Sequence, residues 1–303
     1  MKRFKTKSTG ILSSGELKTP YGKFLYWLFF AILLMVCAAA IIPALWTVLT
    51  AFKPTQEIYG DVTFFPREMS FDIFKTRIAE SWQELDLVRP IINTLIVSAG
   101  SLFVTLVIDG LGGYVLSKLK VKGIKFIFVL VVWSMLMPAQ IRIVPNFIAW
   151  GHFPFAYPIG GWNLRDTYLP ICLGAVANAF NVILFRNSFD TLSDSYVEAA
   201  RLDGCSEIGI IFRILFPLSQ PIIIYIAIMT LNGPWSEFFT PMLYLSEENY
   251  TLPAVVYSLK SDTSIQLNTY FMCMVFSSIP LVVIFVFCQR YIMGGVNIGG
   301  VKG

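Results

Sequence analysis

The chain has 303 residues, of which 56% are hydrophobic, 15% aromatic and only 14% charged, with a formal net charge of +4. Soluble globular chains carry about a quarter charged residues, so this composition excludes a soluble enzyme, a disordered chain, a collagen, a disulfide-stapled mini-protein and a nucleic-acid binder. The five cysteines (Cys37, Cys172, Cys205, Cys273, Cys288) have neither CxxC nor Cys/His spacing and read as small core hydrophobes, not as metal ligands or a disulfide framework.

Residues 1–23 form a basic tail (Lys2, Arg3, Lys5, Lys7, Lys18, Lys23) leading into residues 24–52, which contain no charge. A helix needs about 20 mostly apolar residues to cross the hydrocarbon core, where it satisfies its own backbone. A charged head followed by Ala38-Ala39-Ala40 has the outline of a secretory signal. The apolar body far exceeds the roughly 7–15 residues of a signal, so the run is read as a retained first span. Residues 53–89 hold five basic and seven acidic side chains, which predicts a folded extracytoplasmic cap, not a tight turn.

A second span is expected over 91–117, with Asp109 inside it at about 13 Å from Lys118 at 1.5 Å per residue. A buried carboxyl is costly in lipid, so Asp109 faces either a water-filled cavity or a neighbouring helix. Gly110, Gly112 and Gly113 beside it allow close helix approach. After the basic loop 118–125 comes a third span, 126–150. It contains Arg142, which reads as structural, its guanidinium snorkelling to the outer headgroups. The only histidine, His152, falls in the next outer loop and reads as a solvated turn, not a catalyst. Residues 167–185 make an uncharged fourth span.

The segment 186–217 departs from the basic character of the other inner loops, holding three basic residues against five acidic ones (Asp190, Asp194, Glu198, Asp203, Glu207). Ser195 and Glu198 have capping-box spacing, Ala199 to Leu202 propagate a helix, and Gly204 suits a left-handed stop. Ser206 can cap a second helix with an apolar stripe of Ile208, Ile211, Phe212 and Leu215, closed by Pro217. The prediction is an amphipathic helical hairpin. On local chemistry alone it could simply join two spans.

The fifth span runs from 214 past Glu237 to 245, and Gly233 and Pro234 are expected to interrupt it at membrane depth, where irregular backbone sits only beside protein or water. Residues 247–262 form the last outer loop and 263–289 the sixth span. Short alternating segments of the kind that build strand barrels are missing from this pattern. With the N-terminus inside, fifteen basic residues lie on the inner side and eight on the outer, which favours cytoplasmic placement of both termini. Neither half repeats the other, so a partner subunit is expected instead of a self-contained transporter.

The spacing Glu198-Ala199-Ala200, three residues, Gly204, nine residues, Ile214-Leu215-Phe216-Pro217 resembles the EAA signature of the membrane subunits of ATP-binding-cassette importers, E-A-A-x3-G-x9-I-x-L-P. Phe216 replaces the family's leucine. Asn93-Thr94-Leu95, the run Ala199 to Cys205, Pro234-Trp235-Ser236-Glu237-Phe238 and the tail from Gln289 to Gly303 are similar to the carbohydrate branch, close to the second permease of maltose-type systems. The resemblance spans essentially everything from the first span onward. It implies an all-α membrane protein with six transmembrane helices and the type I importer permease fold, in the inner membrane.

The resemblance also implies partners: a homologous permease, two ATP-binding subunits and an extracytoplasmic solute-binding protein, within the lipid bilayer. It implies no role for nucleic acid. ATP and Mg would sit on the partners, since the chain has no G-x-x-x-x-G-K-[ST] loop. The residues implied to dock on an ATPase subunit are Glu198, Ala199, Ala200, Asp203, Gly204, Ile208 and Phe212, with Glu198 paired to a basic residue there. Gly300, Val301 and Lys302 would reach between the ATPase subunits. Asn232, Trp235, Glu237 and Asp109 become candidates for the translocation path, set against ordinary packing round a proline kink. Asn249, Tyr250 and Thr251, expected to be exposed, become candidates for contact with the binding protein. An importer for another solute, such as a glycerophosphodiester or polyol, shares these features, and a membrane enzyme or channel remains a rival from another class.

Overall fold

Apolar runs of this length fold as helices because lipid offers no partner to an open backbone N–H or C=O. The computed structural model describes residues 19–60, 63–68, 70–154, 161–175, 178–262 and 264–294 (for 290–294 the backbone alone), and these are helical with short connections. The tail 1–18 and the segment 295–303, which includes Gly300, Val301 and Lys302, lie outside the described residues. The chain divides into two units, Met1–Ile78 with Gln266–Val275, and Ala79–Ile265 with Phe276–Gly303.

The first unit begins with helix α1 (Pro20–Ala51), started by Thr19, whose hydroxyl accepts the N–H of Gly22 at 3.0 Å, and by proline in the first turn. Helix α2 (Thr55–Tyr59) and the start of α3 (Phe71–Leu85) follow. Polar contacts hold the described part of the acid-rich segment that follows α1. Lys53, 3% exposed, donates to the carbonyl of Thr63, while the Glu57 carboxylate accepts the Thr63 hydroxyl at 2.8 Å and the Arg67 N–H at 3.2 Å. Phe52 stacks on Phe74 with ring centroids 3.9 Å apart.

The second unit is built round α4 (Val88–Lys118), which packs chiefly on α8 (Ala179–Asp190) and α12 (Gln220–Ser236). The glycines set that contact. A Cβ at Gly113 would stand 2.4 Å from the Cβ of Phe185, one at Gly110 would stand 2.7 Å from the Phe216 ring, and one at Gly112 would stand 3.3 Å from Val182. Between α4 and α8 come α5 (Ile124–Ser134), α6 (Ile143–Gly151) and α7 (Leu169–Gly174). Beyond α8 come α9 (Asp194–Leu202), α10 (Glu207–Ile210), a π-helical turn Ile211–Leu215, and α11 (Phe216–Leu218). After α12 follow α13 (Phe239–Tyr244), α14 (Leu252–Leu259) and α15 (Leu267–Gly294), the last shared between the units.

Among the described residues, α1, α4 and α15 are long and apolar enough to cross a membrane unbroken. Two further helix pairs are long and apolar enough when taken together but are bent, by 99° between α5 and the turn leading into α6 and by 92° between the helix ending in α11 and α12. The apolar stretch 167–185 is divided between α7 and α8. Among the described residues, two of the uniform helices expected from the sequence are therefore bent pairs instead. Proline decides where the breaks fall. The first bend precedes Ala139–Arg142, where Pro138 lacks an N–H and disfavours helix in the residue before it. Pro217 does not close the hairpin as expected. It sits in the first turn of α11, where proline is tolerated, and the chain turns at Ser219, two residues before Pro221 opens α12. Likewise α12 passes through Gly233 and Pro234 and ends at Glu237, one turn later than expected. A proline disrupts the turn preceding it, and the Ser236 hydroxyl closes the last turn by donating to the carbonyl of Asn232 at 2.7 Å.

Candidate docking hairpin and transport cavity

Helices α9 and α10 form the hairpin that the spacing predicts, with Gly204 at φ +77 between them. The N–H of Cys205 reaches the carbonyl of Ala200 at 2.9 Å, a helix-ending bond that only a left-handed residue at Gly204 permits. Ser206 caps α10, accepting the N–H of Gly209 at 3.2 Å. The cap of α9 lies two residues earlier than expected. Ser193, at ψ 136, accepts the N–H of Ser195 at 3.3 Å, so Ser195 is already helical and bonds the Ser193 hydroxyl at 2.8 Å instead of forming the box with Glu198.

The inner face of the hairpin belongs to the core: Val197, Ala200, Ile210, Ile211 and Leu215 pack with Tyr114, Phe185, Phe189 and Ile226. The predicted stripe is thereby corrected. Ile211 and Leu215 face inward, whereas Ile208 is 64% and Phe212 38% exposed. The cause is the π-helical turn, whose wider i→i+5 ring rotates the register after Ile210. Glu198, Ala199, Leu202, Asp203, Ile208 and Phe212 are all exposed, while Ala200 is buried in the core. Leu202, not singled out by the sequence, is 89% exposed, more than Ile208 or Phe212.

Polar contacts fasten the hairpin to α4. The Lys118 ammonium donates to the carboxylate of Asp194 at 2.7 Å and to the Leu192 carbonyl at 2.6 Å. That ion pair holds the Asp194 carboxyl below the usual carboxylate range. Ser117 donates to Asp190 at 2.6 Å. Arg201 grips Glu207 with Nε at 2.9 Å and Nη2 at 3.1 Å, and the Tyr114 hydroxyl donates to the same carboxylate.

A cavity of about 560 Å³ opens among α4, the α5–α6 bend, α7, α8, α12 and α13. Its wall carries Gln140, Arg142, Asn146, Asn178, Asn181 and Thr240, with Trp150, Phe239 and Tyr244 as aromatic surfaces. Amides, hydroxyls and ring faces can bind a polyhydroxylated solute by hydrogen bonding and stacking without a fixed net charge. Of the four residues predicted for the path, Glu237 lines this cavity. Its carboxylate accepts the Thr240 N–H at 2.9 Å and 3.2 Å, which fixes it at the start of α13. Asp109 is fully buried one layer behind, accepting from the amide of Asn181 at 3.3 Å. Trp235 is packed away at 5% exposure, and Asn232 is exposed but off the cavity wall. Arg142, read as a snorkelling residue, lines the cavity because the α5–α6 bend carries it there. Asn178 and Asn181, three apart in an apolar stretch, were the readable signal for this wall and were not singled out.

On the other loop cluster, Asn249 and Tyr250 are partly exposed but Thr251 is fully buried, contrary to expectation. The segment is pinned to α4. The Asn93 amide donates to the Tyr250 carbonyl at 3.0 Å, and the Leu252 N–H donates to the Thr94 hydroxyl at 2.8 Å. Asp166, at φ +64, accepts from the Ser246 N–H at 2.7 Å and from Asn249 at 3.2 Å, leaving Ser246, Glu247 and Glu248 as the exposed edge.

Long and sharply bent apolar helices, a cavity with amides and aromatic rings in its wall, and a hairpin with exposed apolar side chains suit a membrane-embedded transport subunit. The chain belongs to the family described as "binding-protein-dependent transport system inner membrane component", which matches residues 110–297. Among its relatives, the arabinooligosaccharides transport system permease protein AraQ of Bacillus subtilis is 30% identical over 89% of this chain and 93% of the relative. The probable ABC transporter permease protein YurM of the same organism is 28% identical over 91% of this chain and 88% of the relative. The fold is that of a chain in the crystal structure of a bacterial ABC transporter involved in the import of the acidic polysaccharide alginate, with TM-score 0.75, 20% identity and coverage of 90% of this chain and 98% of that one.

Proposed function

We propose that the chain is one permease of an importer for an oligosaccharide, working with a homologous permease, two ATP-hydrolysing subunits and an extracytoplasmic solute-binding protein. Relatives named for arabinooligosaccharide and galactooligosaccharide transport support the solute class, as do the amides and aromatic faces of the cavity. ATP and Mg belong to the partners, and the chain supplies path and joint. Both termini and the hairpin lie in the cytoplasm, and ATP binding drives the hairpins of the two permeases together so that the cavity alternates between outward and inward access.

One observation carries this reading: the hairpin buries its inner face in the core yet leaves Glu198 and Leu202 on α9, and Ile208 and Phe212 after the turn, exposed. An exposed apolar patch rimmed by charge is what a docking surface requires. A basic partner side chain against Glu198 would be strongly destabilised by charge reversal. Glu198→Arg should leave the chain in the membrane at its normal level while the ATPase subunits no longer co-purify and uptake stops. Normal uptake in that variant would overturn the proposal.

A further inference from the structure

Tyr114 is 2% exposed, its ring packed in the core beneath the hairpin and its hydroxyl at the hairpin's turn. That hydroxyl makes two bonds at once, donating to Oε2 of Glu207 and accepting from Nη2 of Arg201 at 3.2 Å. Arg201 lies in the last turn of α9 and Glu207 begins α10, so their bidentate pair already ties one hairpin helix to the other. What Tyr114 adds is α4.

One turn along the same face, Lys118 grips Asp194 and the Leu192 carbonyl at the start of α9. A single attachment would let the hairpin pivot on α4. Two attachments, one at each end of α9, fix its angle. From Tyr114 the same helix continues to Ser101 on the cavity wall, about 20 Å away at 1.5 Å per residue. Beside Tyr114, the close contacts of Gly112 and Gly113 with α8 leave little slack.

We infer that Tyr114 is a positioning residue of the transport cycle: with Lys118 it converts tilting of the hairpin into movement of α4, and so of the cavity wall. This rests on the docking reading above. The aromatic ring supplies the packing and the hydroxyl the coupling, so Tyr114→Phe removes the second without the first. The Arg201–Glu207 pair, which needs no tyrosine, keeps the hairpin itself folded.

The test uses the complete transporter in lipid nanodiscs, with Gly174→Cys as a reporter in an otherwise cysteine-free chain. Gly174 lines the cavity, and a Cβ there meets nothing within 4 Å. A hydrophilic maleimide reads the accessibility of this thiol with and without ATP and Mg. In the parent, nucleotide should change the labelling rate. In Tyr114→Phe the ATPase subunits should still co-purify, but the change should shrink about tenfold, the weight of one hydrogen bond to a charged group. Glu207→Gln, which also weakens the Arg201–Glu207 pair, should shrink the change at least as much, and adding Tyr114→Phe to it should cost nothing further, since the link between Tyr114 and Glu207 is already gone. An undiminished response in Tyr114→Phe or in Glu207→Gln, with the ATPase subunits attached, overturns the inference and leaves the docking reading intact. Absence of any nucleotide response in the parent removes the docking reading, and the inference with it.

Discussion

Asp194 and Lys118 show how one ion pair behaves when one partner is buried and the other is not. The Lys118 side chain is 4% exposed and that of Asp194 is 56% exposed, so solvent screens the pair and its value lies in placement more than in stability. The carboxyl titrates lower when folded than when unfolded, because the ammonium stabilises its anion. The contribution is therefore fully present above the ordinary carboxylate value of about 3.9 and is lost as pH falls through the lowered one. Amide exchange of residues 194–202, corrected for its intrinsic pH dependence, should stay flat between pH 8 and 5; a loss of protection near pH 6 would contradict the assignment. Lys118→Ala should raise exchange in the same residues at every pH, with no change signalling that the pair does no positioning. At this scale Gly204 and Ser206 were legible, since a left-handed stop and a cap depend on local backbone. Thr251 was not, because its burial is decided by Asn93 and Thr94, more than 150 positions away in sequence.

Helix against helix, the glycines of α4 set the spacing. A Cβ at Gly113 meets Phe185 and the backbone N of Arg186 at 2.9 Å, neither of which can swing aside, whereas one at Gly112 meets only Val182 methyls at 3.3 Å. Gly113→Ala should therefore cost about 1–3 kcal/mol, the usual range for overpacking, and Gly112→Ala distinctly less. Thermal unfolding of the detergent-solubilised chain checks the order, and equal losses would show that α4 and α8 yield freely. The apolar runs announce these helices plainly, but not their breaks. Whether a proline ends a helix, as before Pro221, or rides within one, as Pro217 and Pro234 do, depends on which neighbour takes up the released carbonyl. The π-helical turn is similarly hidden, and with it the reason that Ile208 and Phe212 face outward.

For the molecule as a whole, the membrane class, the helical architecture and the hairpin could be read from composition and spacing. The cavity could not, because its wall is gathered from six helices and needs the bends to exist. Gly174 supplies a direct check. The position is exposed and a Cβ there meets nothing within 4 Å, so Gly174→Trp should leave stability within about 0.5 kcal/mol of the parent, as at an ordinary surface site. Uptake should nevertheless fall at least about tenfold if indole and solute compete for the same space. Unimpaired uptake would place the solute elsewhere. Helix α1 has a different consequence. Its 32 residues make a rod of about 48 Å, against a hydrocarbon layer of about 30 Å. Such a surplus obliges the rod to lean or to lift its ends among the headgroups, at a modest cost for each ångström of mismatch, so the tilt of α1 should follow the thickness of the lipid around it.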